Sequence, residues 1–305
     1  MQIPQFFQEK IIRSFGEKGR NWLIQLPLLF NECVEKWKLT DLQTSTDLSY
    51  NYVCFAQHPE HGKVALKIGV PHLDLFSEMK AISLFEGHGL CCCYAVDEAR
   101  GAMLIERLFP GGDLRQIQNP QQRFGIAASL LRQIEVNPPA DCELPEYGGL
   151  ILNAIQRSEK VSNIHPKIRV WLDEIHTLYQ SLEARQANRV VLHCDLHHMN
   201  ILRDGSSWRA IDPKGFIGLH AIEPARFIEN ELNLFSTDHP LEAIDQMVTL
   251  FVQAMNTQKA EVAACLFIDS VLSTYWSVED HAPDSQIQAG IQQIQLALEY
   301  WQGIE

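Results

Sequence analysis

The sequence predicts an α+β protein: a small antiparallel-sheet half, then a larger and mainly helical half, with a cleft between them. Three observations lead there. Short β-leaning runs separated by turn residues, with one interposed helix, recur from residue 39 to residue 108. Apolar residues at helical spacing dominate afterwards. Between the two lies Phe109-Pro110-Gly111-Gly112, a turn at which the period changes, so the expected units are 1–108 and 109–305.

The first unit opens with a helical segment over 19–38. Trp22, Leu23, Leu26, Leu29, Phe30, Cys33, Val34 and Trp37 recur at roughly helical spacing, and Pro27 either kinks that helix or opens a new one. Strands are expected at 39–42, 50–56 and 63–68, the last two joined by the loop His58-Pro59-Glu60-His61-Gly62. A helix over 74–87 follows, because Leu75, Met79, Ile82 and Phe85 share a face and Gly87 can close its end. A second hairpin pairs 91–96 with 102–108. In the second unit helices are expected at 121–136, 147–160, 166–186, 240–256, 259–277 and 285–302. The exception is 190–212, with a strand at 190–192 and a hairpin of 201–203 with 208–211 across Asp204-Gly205.

Composition narrows the function. The 305 residues are 46% hydrophobic and 21% charged, as in folded soluble proteins. Acids outnumber bases 38 to 25, a net charge of −13, which argues against a nucleic-acid binder. No apolar run is long enough to span a membrane and no signal peptide is indicated, so a cytoplasmic location is expected. Eight cysteines without CxxC pairs, three of them consecutive at 91–93, read as reduced thiols rather than a disulfide scaffold.

The chemistry concentrates in His193-Cys194-Asp195-Leu196-His197-His198-Met199-Asn200 and, after the hairpin, Ala210-Ile211-Asp212-Pro213-Lys214-Gly215. Asp195 suits a carboxylate that orients a hydroxyl. Asn200 and Asp212 are hard oxygen donors suited to Mg²⁺, and the hairpin brings them together because they flank the same strands. Taken alone, Asp195 and Asn200 suit a turn. What shifts the reading to a nucleotide site is their order with Asp212 and with Lys67, in the strand Val64-Ala65-Leu66-Lys67. Glu78, in the next helix, is placed to hold the Lys67 ammonium while that ammonium neutralises phosphates. His193, His197 and His198 lack zinc-site spacing, Cys194 has no paired base for acyl chemistry, and no G-x-x-x-x-G-K-[ST] loop occurs.

These motifs resemble the aminoglycoside phosphotransferase group of the kinase-like superfamily, and most of all the streptomycin 6-kinase (aminoglycoside/hydroxyurea antibiotic resistance kinase) family. The family's H-G-D-L-H-x-x-N loop corresponds to 193–200 and its A-I-D-P-K-G segment to 210–215. Gly19-Arg20-Asn21-Trp22-Leu23 with Leu26-Pro27, Leu104-Ile105-Glu106-Arg107-Leu108 and the stretch 272–280 resemble it too, so the likeness covers about 15–300. It implies a two-lobed protein-kinase-like fold, Asp195 as catalytic base, Asn200 and Asp212 as Mg²⁺ ligands, ATP as phosphoryl donor, and a hinge from Glu106 to Leu108 offering backbone groups to adenine. The chain departs from the pattern at Cys194, where the family has glycine, and at Leu219-His220, where it has Asp-Pro; 43–50, between the first two strands, contains no glycine.

Downstream acids Glu223, Glu279 and Asp280 are the expected contacts for a cationic small-molecule substrate, since guanidinium and ammonium groups pair with carboxylates. The resulting expectation is an ATP-dependent phosphotransferase acting on a hydroxyl of a streptomycin-like antibiotic and conferring resistance. The alternatives are a kinase of an ordinary small metabolite, a nucleotide-binding pseudokinase and an antibiotic-sequestering protein.

Overall fold

The structure is a computed structural model that describes residues 3–161, 164–185, 189–235 and 237–304. Its first part is a five-stranded antiparallel sheet in the order β1-β2-β3-β5-β4, from β1 (Thr40–Thr44), β2 (Asn51–His58), β3 (Gly62–Gly69), β4 (Cys93–Asp97) and β5 (Ala102–Glu106). One face is covered by α1 (Gln5–Lys36), the other by α2 (Leu73–Phe85). Alternation decides which residues face which helix. Val64, Leu66 and Ile68 of β3 join Tyr52 and Cys54 in a cluster with Phe7, Trp22, Leu26 and Phe30 of α1. Ala65 faces Leu75, Met79 and Ile82 on the other side, and by the same alternation Lys67 does too.

The helix of α1 begins well before residue 19. Phe7 and Ile11 are fully buried one turn apart and extend the apolar stripe. The interruption falls at Gly16 (φ 56°, ψ −130°), not at Pro27, which stays within helical geometry. Glycine reaches that conformation without steric cost. The loss of one N–H at Pro27 is absorbed by a helix packed along its length.

The second part is mainly helical: α3 (Pro120–Gln133), α4 (Tyr147–Ser158), α5 (Pro166–Arg185), α6 (Glu223–Leu234), α7 (Pro240–Met255), α8 (Lys259–Glu279) and α9 (Asp284–Gln302). Residue 186, the expected end of the fifth helix, lies outside the described residues. Helix α8 is buried on all sides among α4, α5, α6, α7 and α9. Two small antiparallel sheets carry the loops in front of these helices: β7 (Val190–Leu192) with β10 (Phe216–Gly218), and β6 (Pro110–Asp113) with β8 (Ile201–Asp204) and β9 (Ser207–Ala210). The fold is thus two-lobed and protein-kinase-like, with an antiparallel-sheet N-lobe and a mainly helical C-lobe.

Three elements depart from expectation. The Pro-Gly-Gly-Asp turn is β6, whose composition disfavours strand and whose pairing with β8 overrides it. β10 spans only three residues. Helix α6 buries Glu223, Glu229 and Glu231 on its inner face, so charge interrupts the apolar period that would reveal it.

If the first turns of α1 belong to the sheet's core, Phe7→Ala lowers the unfolding free energy by about 3–4 kcal/mol. The half-exposed neighbour Phe6→Ala changes it by less than about 0.5 kcal/mol. Denaturant melts of the two variants check this.

Candidate active site

Lys67 reaches across the cleft. Its ammonium donates to Glu78 Oε1 on α2 and to Asp212 Oδ1 at 2.9 Å, and the residue is 4% exposed. Burial disfavours the lysine charge, but Asp212 and Glu78 outweigh it, so its pKa lies above the ordinary value. Glu78 is pushed up to about 7, by burial first and by the neighbouring Asp212 charge, against the pull of Lys67. Of the two, the lysine governs the pair: facing two carboxylates, it keeps its proton.

The loop after β7 is held by its own histidine. His193 Nε2 donates to the Ile211 carbonyl at 2.9 Å, which leaves Nδ1 to accept the Asp195 N–H at 3.2 Å. One neutral tautomer satisfies both bonds. Full burial pushes the His193 pKa down to about 4, against the opposing Asp195 charge. Asn200 donates through Nδ2 to the Asp195 carbonyl at 3.0 Å, and its own carbonyl accepts the Ile211 N–H at 2.9 Å, which sets it beside Asp212. Asn200 Oδ1 has no protein partner among the described residues.

Asp195 Oδ1 lies 3.6 Å from Lys214 Nζ and 3.8 Å from Arg226 Nε; Oδ2 lies 3.9 Å from His197 Nε2. Burial raises its pKa, but Lys214 and then Arg226 outweigh that and hold it below the usual range, so the carboxylate stays ionised. Cys194 has φ +56° and Asp212 φ +59°, the left-handed region. A side chain there costs roughly 1–2 kcal/mol relative to glycine, which gives the departure at Cys194 its physical meaning. Gly215 (φ +75°) has no such latitude: a Cβ would lie 2.6 Å from the Ser77 carbonyl oxygen on α2.

Residues 43–281 match the sequence profile of the aminoglycoside/hydroxyurea antibiotic resistance kinases. The chain belongs to that family. Streptomycin 6-kinases of Streptomyces griseus and Streptomyces glaucescens are 25% and 23% identical to it, each over 92% of both chains. A choline/ethanolamine kinase family protein from Mesorhizobium loti superimposes with a TM-score of 0.63 at 14% identity, over 90% of this chain and 99% of that one. The protein is therefore a phosphotransferase with an alcohol group as acceptor.

In this kinase the structure brings together Lys67, Glu78, Asp195, Asn200 and Asp212. It turns Glu223 away from any substrate and commits Glu279 to an internal pairing. Glu223 is 1% exposed, and its carboxylate accepts the N–H of His193 through Oε1 and of Cys194 through Oε2 at 3.1 Å. It clamps the loop from below; burial pushes its pKa up to about 7 against those two bonds. Glu279 is taken by Arg157 Nε at 3.0 Å and the Tyr275 hydroxyl at 2.7 Å. Asp280 is the exposed residue that ends α8 and makes no ion pair among the described residues. Glu106 spends its carboxylate on the Cys92 N–H at 3.0 Å and Arg209 at 2.7 Å. The Leu108 N–H has no backbone partner among the described residues.

Two cationic residues, Lys214 and Arg226, also stand beside Asp195. Lys214 belongs to the 210–215 segment, and Arg226 lies three residues after Glu223 in α6. Arg226 lies between Asp269 Oδ2 (3.2 Å) and Glu229 Oε2 (3.4 Å) and donates to Ser273 Oγ at 2.9 Å. Its i, i+3 spacing to Glu229 was readable; Asp269, a single acid inside the buried α8, was the other signal. Beneath the loop, Glu231 accepts from His198 Nε2 at 2.7 Å and from Arg123 Nε at 3.0 Å, and Arg123 donates on to the carbonyls of Ile117 and Gln118.

A histidine kept neutral by burial makes the fold acid-sensitive. As pH falls from 6.5 towards 4, the unfolded chain protonates at this position and the folded loop does not. That lowers stability by about 3 kcal/mol over the interval. His193→Gln removes the titrating ring, so the stability-versus-pH curve of that variant is expected to be flatter than wild type over this range by about one proton. Denaturant melts at stepped pH measure it.

Proposed function

We propose that the protein transfers the γ-phosphoryl group of ATP to a hydroxyl of a cationic, aminocyclitol-type antibiotic such as streptomycin, and that this transfer confers resistance. One observation carries the reading: Lys67 Nζ joins Glu78 and Asp212 from the two halves of the chain, while Asn200 ties the Asp195 loop to the same hairpin. Nucleotide would lie between the lobes 1–108 and 109–305, its adenine against the backbone from Glu106 to Leu108. An unclaimed Leu108 N–H supports that.

In the proposed mechanism Lys67, held by Glu78, grips the non-transferred phosphates. Asp195, ionised and fixed by its loop, accepts the proton of the attacking hydroxyl. Asn200 Oδ1 and the Asp212 carboxylate are hard oxygen donors, and the lack of a partner for that amide oxygen among the described residues fits a cation such as Mg²⁺. When bound, the ion would neutralise phosphate charge. No helix among the described residues is long and apolar enough to cross a membrane, and a cytoplasmic site of action, where ATP is available, follows from the proposal.

A second reading has its own support. The buried acids nearest the acceptor side, Glu229 and Asp269, already hold an internal guanidinium, Arg226. That favours an acceptor with fewer positive charges, such as an amino alcohol or a sugar. The complete set Lys67, Asp195, Asn200 and Asp212 weighs against a pseudokinase.

Purified protein with Mg·ATP and streptomycin is expected to consume nucleotide in proportion to antibiotic. Asp195→Ala should lower kcat by about 10²–10⁴-fold, with nucleotide affinity retained. Antibiotic-independent nucleotide loss, unchanged in Asp195→Ala, overturns the reading. Turnover with another alcohol in a panel of aminoglycosides, amino alcohols and sugars selects the second.

A further inference from the structure

We propose that Lys214 is a catalytic residue, the cation that holds the transferred phosphoryl group between Asp212 and Asp195. The proposal rests on the nucleotide reading above. In the step concerned, the acceptor oxygen forms a bond to the γ-phosphorus. The bond from that phosphorus to the β–γ bridging oxygen breaks, its electron pair leaving on ADP, and the hydroxyl proton passes to the Asp195 carboxylate. Charge spreads over the equatorial oxygens of the group in flight, and fixed positive charge there lowers the barrier.

Three cations stand near the reacting centre, and two of them are buried against two carboxylates each. Lys67 is closed between Glu78 and Asp212, with 5% of its side chain exposed. Arg226 is buried among Asp269, Glu229 and Ser273, and its Nε, without a hydrogen-bond partner among the described residues, lies 3.8 Å from Asp195 Oδ1. Lys214 differs. Its side chain is 41% exposed, and its nearest carboxylate oxygen, on Asp195, lies at 3.6 Å, beyond hydrogen-bond length. Nζ otherwise rests 5.2 Å over the Trp276 ring and has no hydrogen-bond partner among the described residues. Three ammonium donors thus remain to be engaged.

The backbone beneath this free ammonium is fixed. The Lys214 N–H bonds the His193 carbonyl at 2.8 Å, Pro213 precedes it, and Gly215 is seated so closely on α2 that a Cβ would meet Ser77 and Ala81 at 2.6 Å. A rigid pedestal two residues beyond Asp212 therefore carries a lysine whose tip lies beside Asp195. In the proposed reading Asp212 marks the phosphate side and Asp195 the acceptor side, and the ammonium, 3.6 Å from Asp195 Oδ1, would meet the phosphorus as it reaches the acceptor. The loose Asp195 contact is the resting position, exchanged for phosphoryl oxygens when nucleotide and acceptor are in place.

The test compares wild type with Lys214→Met and Lys214→Arg. Thermal unfolding is followed with Mg·ADP, then with Mg·ADP plus tetrafluoroaluminate, a planar stand-in for the phosphoryl group in flight; ATP turnover, to acceptor or to water, is measured in parallel. Lys214→Met is expected to bind Mg·ADP like wild type. It should lose at least about tenfold in fluoroaluminate affinity and about 100-fold in kcat, with the nucleotide KM unchanged. Lys214→Arg should recover most of the kcat. The proposal is overturned if Lys214→Met keeps wild-type kcat, if its defect lies in acceptor KM alone, or if arginine rescues nothing. Wild-type protein that takes up no Mg·ADP overturns the nucleotide reading as well, whereas intact ADP binding with an unaffected fluoroaluminate complex overturns only the role of Lys214.

Discussion

A single buried ammonium ties the two lobes together. Lys67 leaves the sheet on the face opposite α1, meets Glu78 on α2, and reaches Asp212 on the loop of the other lobe. Desolvating Lys67 and Glu78 together is costly, and the arrangement persists because each has a partner, with the part-exposed Asp212 adding a second carboxylate from the other lobe. Removing Glu78 alone leaves a buried ammonium facing one carboxylate instead of two. The register of β3, the rotation of α2 and the course of 210–215 are therefore coupled. Any shift in one unpairs a charge in another.

The loop that carries Asp195 obeys the same logic on a smaller scale. Its backbone N–H groups are consumed by a buried carboxylate, Glu223, and its histidine links it to the strand that leads to Asp212. Left-handed conformations at Cys194 and Asp212 are tolerated because these bonds over-determine the path. The Arg123–Glu231–His198 network adds a second tether below. A family pattern that calls for glycine at 194 is thus met here by a side chain on a backbone that neighbours hold in place.

Acidic residues illustrate how charge misleads in sequence. Glu223, Glu229 and Glu231 occur with Arg226 in one short stretch and read naturally as a surface awaiting a cation. In the fold they turn inward, one to backbone amides, one to Arg226 and one to Arg123 and His198. Of the expected substrate carboxylates Glu223 becomes scaffolding, and Arg226 and Lys214, the cations beside Asp195, become the unexpected part of the site.

The chain's one-dimensional pattern was enough for the two-lobed fold class and most helices, and it singled out Lys67, Glu78 and Asp212, which the fold joins by ion pairs, because alternation, helical period and motif spacing are local signals. It was not enough for the start of α1, for β6 or for α6. There a glycine kink, an unfavourable composition and buried charge each run against local preference, and partners distant in the chain decide the outcome. Whether a carboxylate meets substrate, backbone or an internal arginine depends on what packs against it in three dimensions, and only tertiary structure fixes that.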